Sequence, residues 1–148
     1  GETTAILNGA GTGAVSILDC RDTNNASKFK VLQNGRGVSQ FTAQFWVNFD
    51  GAGNMTPRDS HNISSITDNG TGDYTINIGV DMSNDEYAAT AMIANGNALP
   101  ARGTGSAQIS ALAAGTVRAL TSNGSTSSSN GAAVDATVIC VVGHGDSA

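Results

Sequence analysis

Residues 45–78 read FWVNFDGAGNMTPRDSHNISSITDNGTGDYTINI, and this stretch decides the fold of the chain. Apolar and polar residues alternate at both of its ends, which is the pattern of a β-strand with one inward and one outward face. Asp-Gly and Asn-Gly pairs interrupt the alternation, and both readily adopt the positive φ angles of tight hairpin turns. The stretch therefore predicts antiparallel β-structure, and it contains no pattern typical of a reaction centre.

The same strand and turn signals recur along the whole chain. We predict strands at residues 3–7, 14–18, 28–33, 38–40, 44–49, 61–67, 73–80, 86–94, 107–112, 116–121 and 133–142. Within them three apolar rows stand out: Phe45, Val47 and Phe49; Tyr74, Ile76, Ile78 and Val80; and Val134, Ala136, Val138, Cys140 and Val142. A short helix is an alternative at residues 106–114, where a strand fits at least as well.

These signals predict an all-β protein, an antiparallel β-sandwich of the jelly-roll-like kind. We expect two parts: a glycine-rich β leader over residues 1–40 and a sandwich domain over residues 41–148. The chain begins at Gly1 rather than Met, and we expect it to have been excised from a larger protein.

Composition excludes several classes of function. Charged residues make up 13% of the chain and the net charge is −5, whereas nucleic-acid binding normally depends on clustered Lys and Arg. No apolar run approaches the roughly 20 residues that a membrane-spanning helix needs. We therefore expect neither nucleic-acid binding nor membrane insertion.

The two cysteines, Cys20 and Cys140, form no metal-binding or redox motif. Each lies at the end of an apolar, strand-like run. Two buried free thiols are the favoured interpretation, and a disulfide that closes a very long loop is the alternative.

No pattern in the sequence predicts catalysis or a cofactor. His61 and His144 each have Asp and Ser nearby in sequence, but the members of a catalytic triad meet through space rather than along the chain. We interpret both as surface histidines and predict that the protein is not an enzyme. The loop around Asp68 and Asp73 resembles a calcium loop but lacks the bidentate Glu of an EF-hand. Those two residues are a weak Ca²⁺ candidate, and a tight turn is the default interpretation.

Binding residues are expected in the exposed loops at residues 95–105 and 122–131, which are rich in Gly, Ser and Asn. Trp46, Tyr74 and Tyr87 could stack on a sugar, but they lie within or at the start of strands, where a place in the core is more common. Trp46 lies opposite the row of Phe45, so its strand is expected to be covered on both faces, by a second layer or by a partner chain. The predicted ligand-binding residues are Asn95, Asn97, Arg102, Ser122, Asn123, Ser127 and Asn130.

The segments WVNFDG, RDS, NISSIT and DNGTGDYT, all between residues 46 and 75, resemble a module of tail fibres and related virion proteins of marine and cyanobacterial tailed phages. The resemblance covers about a third of the chain. His61 stands where that family often has an aromatic residue. The shared residues look like scaffold, so ligand contacts would lie in variable loops.

The resemblance implies a virion protein, the distal domain of a tail fibre that attaches the phage to a glycan on the host cell surface. It also implies a homotrimer, with the host surface polysaccharide or receptor and other virion proteins as partners. Its location would be the tail fibre or the capsid exterior. The first alternative is a capsid decoration or fibre-shaft protein without a receptor, and the second is a polysaccharide depolymerase tip.

Overall fold

The computed structural model describes residues 16–33, 35, 37–39, 41–94, 105–123 and 131–146, together with the backbone of residues 5–6. Within these residues the chain forms twelve β-strands and no helix, which confirms the all-β prediction. The strands are β1 (Ala5–Ile6), β2 (Ser16–Arg21), β3 (Ser27–Leu32), β4 (Gly37–Val38), β5 (Ala43–Phe49), β6 (Pro57–His61), β7 (Ile63–Gly70), β8 (Asp73–Ile78), β9 (Ala88–Ala94), β10 (Ser106–Ala113), β11 (Thr116–Ser122) and β12 (Val138–His144).

The chain divides into two compact units, Gly1–Thr42 and Ala43–Ala148. The first unit contains one antiparallel sheet in the order β1-β2-β3-β4. Asp19, in β2, is buried, and its carboxylate accepts hydrogen bonds from Arg21 Nε at 2.8 Å and from the Ser27 hydroxyl. These bonds offset the cost of taking a charged group out of water.

The second unit is a β-sandwich of two antiparallel sheets, in the orders β6-β5-β12-β9 and β10-β11-β8-β7. Their inward faces share one core, and the ring of Phe49 meets that of Tyr74 edge to face at a centroid distance of 5.3 Å. Val80, which we predicted to extend the row of Tyr74, lies beyond the end of β8 and is exposed. The core residues are Phe45, Val47, Phe49, Ile66, Tyr74, Ile76, Ile78, Met82, Tyr87, Val117, Ala119, Ala136, Ile139 and Val141.

Asn62 is the corner at which the chain passes from one sheet to the other. The prediction of a single strand over residues 61–67 is therefore wrong, since β6 and β7 lie on either side of Asn62 and in different sheets. Asn62 has a φ of 56°, a left-handed conformation that Asn tolerates better than most residues. Its side-chain amide donates to Gln44 O at 3.0 Å and Val80 O at 3.1 Å, and its Oδ1 accepts from Val80 N at 2.7 Å.

The turn between β7 and β8 lies in the loop of Asp68 and Asp73, where the sequence predicts a tight hairpin or bulged turn, but not at the Asn-Gly pair of that loop. Gly70 still pairs with Asp73, so the two turn residues are Thr71 and Gly72 rather than the Asn-Gly pair at 69–70. An irregularity in the pairing of β7 moves the turn along the chain. Gly72 has a φ of +68°, which glycine adopts without strain.

In the last strand, β12, the residues that face the core are not those of the longest apolar row in the sequence. Ile139 and Val141 are buried in the core, whereas Val138, Cys140 and Val142 are half-buried on the outer face. Residues 133–137 precede the strand. Both rows of β12 are apolar, so alternation alone does not identify the inward one.

The thiols of Cys20 and Cys140 are both free. This agrees with the favoured interpretation of two free thiols, although each is half-buried rather than buried.

Candidate binding surfaces

The outer face of sheet β10-β11-β8-β7 is polar, and its β7–β8 half is internally hydrogen-bonded. The Asn77 amide donates to Ser65 Oγ at 3.0 Å and to Thr67 Oγ1 at 3.2 Å. The Asn69 amide donates to Thr75 Oγ1 at 2.9 Å. These cross-strand bonds stabilise the sheet, and they leave few side-chain groups available to a ligand on this half.

A groove lies at one end of the same face, and we call it the polar groove. Its volume is about 370 Å³. The β7–β8 turn, the start of β10 and the end of β11 form its walls, together with the segment that pairs with Ser122 through Ala133. The lining residues are Thr71, Gly72, Asp73, Ser106, Gln108, Leu120, Thr121, Ser122, Gly131 and Ala133.

Hydrogen bonds hold the floor of the polar groove in place. Gly72 O accepts from Thr121 N at 2.8 Å, and Gly72 N donates to Asp135 Oδ1 at 2.7 Å. The Tyr74 hydroxyl donates to the same carboxylate oxygen at 2.8 Å. Burial, together with this carboxylate, raises the pKa of Tyr74 well above its usual value. The Thr121 hydroxyl donates to Val134 O at 2.6 Å, so it is structural and turned away from a ligand.

The remaining polar side chains of the groove are unused. No hydrogen bond joins the side chain of Thr71, Ser106, Gln108 or Ser122 to any other residue that the structure describes. Ser106 and Ser122 are directly paired across β10 and β11, and Gln108 lies opposite Leu120. Hydroxyl and amide groups that are close together and unpaired are what a polar ligand requires.

Asp73 is the ionisable residue that lines the groove, and Arg118 neutralises it. Arg118 Nε donates to Asp73 Oδ1 at 2.8 Å, and a second guanidinium nitrogen donates to Oδ2. The hydrogen bond from Arg118 lowers the pKa of Asp73 below its usual value, so the carboxylate stays charged and paired at neutral pH. Such a two-point contact fixes both side chains.

The weak Ca²⁺ prediction concerned Asp68 and Asp73, and the two carboxylates have separate roles. Asp68 Oδ1 accepts from Gly70 N at 2.9 Å, as in an Asx-turn, while Asp73 binds Arg118. Across the described part of the chain, no group of three or more His, Cys, Asp or Glu residues could hold a metal ion.

The outer face of sheet β6-β5-β12-β9 exposes large apolar side chains in contrast, among polar ones, and we call it the Trp46 face. As predicted, Trp46 lies opposite the row of Phe45; its side chain is 36% exposed, and Met92 is 63% exposed. Trp46 pairs with Val142 on one side and His61 on the other. The neighbouring pair is Asn48 and Cys140, whose amide and thiol are 3.4 Å apart. The residues of the face are Trp46, Asn48, Asp59, His61, Thr90, Met92, Cys140 and Val142.

Among the residues that the structure describes, no side-chain hydrogen bond joins His61 or His144 to an Asp or Ser residue. His61 is on an edge strand, and Asp59 next to it accepts a hydrogen bond from Ser60 N at 2.8 Å. His144 is the last residue of β12 and pairs with Ala43 of β5 on one side and with Ala88 of β9 on the other.

Of the predicted ligand-binding residues, the structure describes two. Ser122 lines the polar groove. Asn123 does not line the groove, and its Oδ1 accepts a hydrogen bond from Ala132 N at 2.8 Å. The other predicted residues, Asn95, Asn97, Arg102, Ser127 and Asn130, lie outside the described residues.

Three other side chains of the groove that make no hydrogen bond to a described residue were not predicted from the sequence: those of Thr71, Ser106 and Gln108. Ser106 and Gln108 alternate with the half-buried Ala107 and Ile109, so alternation would have identified their outward face. It would not have placed them beside the β7–β8 turn, which is distant in sequence.

No protein-family model, no curated protein and no solved structure matches this chain. Among the described residues, no helix is long and apolar enough to cross a membrane.

Proposed function

We propose that this chain is a virion protein of a tailed phage, the distal domain of a tail fibre that attaches to a glycan on the host cell surface. The observation that carries the proposal is the polar groove, with its cluster of unpaired hydroxyl and amide groups on a hydrogen-bonded floor. Polyhydroxylated ligands are recognised by such groups. The domain is a jelly-roll-like module located on the tail fibre or the capsid exterior.

The resemblance in residues 46–75 supports the setting of this proposal rather than the ligand. Its residues form β5 to β8 and include Asn62, which joins the two sheets. Most of them therefore act as scaffold, although Thr71, Gly72 and Asp73 also line the polar groove. Seven of the ten lining residues of the polar groove, five of them on β10 and β11, lie beyond residue 75 and are free to vary with the host.

Attachment through this groove would be weak for one copy and strong for many. A groove of about 370 Å³ is at the small end of ligand sites, so it contacts little of a polysaccharide. Copies held together in a fibre bind repeating glycans with a much higher combined affinity.

The test is binding of the purified chain to host cells and to an array of bacterial surface glycans, presented multivalently. We expect binding to host polysaccharide that is lost when a bulky side chain fills the groove in Ser122→Trp. The matched variant Val80→Trp, at a 42% exposed position outside both the polar groove and the Trp46 face, should still bind. If the wild-type chain binds no glycan but binds empty capsids tightly, it is a decoration protein, and the attachment proposal is wrong.

A structural role, as a capsid decoration or fibre-shaft protein, is the second candidate, and the Trp46 face favours it. Exposed apolar side chains that lie on one face of a sheet, as Trp46 and Met92 do, are typical of an interaction surface. We propose that a second copy of this chain covers this face, within a homotrimer that also contacts other virion proteins.

A polysaccharide depolymerase tip is a more distant candidate. Release of reducing ends from host polysaccharide would reveal it.

Light scattering tests the assembly. We expect the wild-type chain to have the mass of three copies, and Trp46→Lys to reduce that mass to about one third, because a charge would then lie within the interface. Val80→Lys is the control, since Val80 is 42% exposed and lies outside the Trp46 face. A wild-type monomer at micromolar concentration would contradict the trimer. A trimeric Trp46→Lys variant would show that another surface forms the contact.

A further inference from the structure

The polar groove is where the unused hydrogen-bonding capacity of this sheet is concentrated. On the β7–β8 half, Asn69 and Asn77 use their amides on neighbouring hydroxyl groups. At the groove, Thr71, Ser106, Gln108 and Ser122 have no partner among the described residues. Together three hydroxyl groups and one amide offer both donors and acceptors. A ligand that fits them must itself carry many donors and acceptors at short spacing, as sugars do.

The size and lining of the groove narrow the ligand further. A volume of about 370 Å³ suits a mono- or disaccharide unit rather than a long chain. Among its described lining residues there is no aromatic ring, and Leu120 is the large apolar side chain. The ligand is therefore held mainly by hydrogen bonds, with the C–H face of a sugar ring on Leu120.

The charge of the groove decides between classes of sugar. Asp73 is already bound by Arg118 at both carboxylate oxygens. An acidic sugar would place its carboxylate near Asp73, and among the described lining residues there is no unpaired cation to receive it. An amino sugar would have to displace the guanidinium from Asp73. An unpaired charge in a partly enclosed site is unfavourable, so an uncharged ligand fits best.

From these contacts we infer that the polar groove binds uncharged saccharides and that the Arg118–Asp73 ion pair excludes acidic ones. The inference rests on the proposed glycan attachment and specifies its ligand class. Asp73 and Arg118 act on charge selectivity, whereas the hydrogen bonds to the sugar come from Thr71, Ser106, Gln108 and Ser122.

The test measures binding of the full chain to neutral and acidic oligosaccharides by amide chemical-shift changes in NMR. The probes are maltotriose and chitotriose as neutral ligands, and trigalacturonate and sialyllactose as acidic ones. For the wild-type chain we expect at least one neutral probe to shift the amides of Ser106, Gln108 and Ser122, with acidic probes at least about tenfold weaker. Gln108→Ala should weaken neutral binding about fivefold, and Val80→Ala, at an exposed position outside both the polar groove and the Trp46 face, should leave it unchanged.

Two charge variants test the role of the ion pair. Asp73→Asn leaves the Arg118 guanidinium unpaired, so acidic probes should gain about tenfold while neutral binding changes little. The control is Asp50→Asn, which removes the same charge from the exposed Arg58–Asp50 pair and should alter neither class. Circular dichroism and thermal unfolding confirm that each variant is folded.

The possible results separate this inference from the proposed function. Acidic saccharides that bind the wild-type groove as tightly as neutral ones would overturn the charge selectivity and leave glycan attachment standing. Saccharide-induced shifts confined to residues outside the groove would overturn the groove assignment alone. Absence of binding to any saccharide, including host polysaccharide, would overturn both.

Discussion

Replacing Asn62 with alanine is expected to lower the free energy of unfolding by about 3–4 kcal/mol. The substitution removes three side-chain hydrogen bonds to the backbone of Gln44 and Val80, and each contributes about 1 kcal/mol. It also places alanine at a φ of 56°, which Asn tolerates better than alanine does, a difference of up to about 1 kcal/mol. Because Asn62 joins the two sheets, its loss weakens the whole sandwich. Urea denaturation followed by circular dichroism measures the effect.

Two further substitutions at Asn62 separate these causes. Asn62→Gly tolerates the positive φ but makes no side-chain bonds, so it should be less destabilised than Asn62→Ala by about 1 kcal/mol. Asn62→Asp keeps the acceptor for Val80 N but loses both donors. If Asn62→Ala unfolded within about 0.5 kcal/mol of wild type, a magnitude typical of surface changes, the corner would have no special role.

Replacing Gly143 with alanine is expected to destabilise the second unit by about 3 kcal/mol or more, at the upper end for overpacked cores. A Cβ at Gly143 would lie 2.1 Å from both Cε1 and Cζ of Phe45, far inside van der Waals contact. The Phe45 ring is fully buried and meets the ring of Tyr87 edge to face at 5.8 Å, so it has no space into which to move. Thermal unfolding and urea denaturation measure the loss.

A control and a compensating change accompany this prediction. Gly53→Ala places its Cβ at 3.3 Å from Asp50 in an exposed turn, and we expect a change within about 0.5 kcal/mol. Adding Phe45→Leu to Gly143→Ala should recover part of the lost stability, because a smaller side chain leaves room for the new methyl group. Strictly additive effects of the two substitutions would contradict this explanation.

The strands that alternation predicted best are those with one apolar and one polar face. Tyr74, Ile76 and Ile78 lie on the inward side of β8, and Thr75 and Asn77 lie outward, as their pattern indicates. Alternation did not identify the inward face of β12, where Ile139 and Val141 lie inward. Val138, Cys140 and Val142 lie outward, although Ala136 of the same row is buried before the strand begins. When both rows are apolar, the pairing of β12 with β5 and β9 decides which one enters the core.

The corner at Asn62 shows a second limit. Residues 61–67 look like one strand because polar and apolar residues follow one another without Gly or Pro. The break depends on bonds from Asn62 to Gln44 and Val80, which are each 18 residues away along the chain. Such bonds exist only once both sheets have formed.

The sequence by itself determined that this is an all-β protein, that Phe45, Val47 and Phe49 belong to its core, and that its chemistry is polar and nearly uncharged. Those properties are local, because they depend on residue types and on the two-residue period of a strand. Only the tertiary structure decided which end of which sheet is open to a ligand. It brings the β7–β8 turn, β10 and β11 together so that Thr71, Ser106 and Ser122 line one groove. The groove depends on pairing between strands that are distant in sequence, and residue types alone do not determine that pairing.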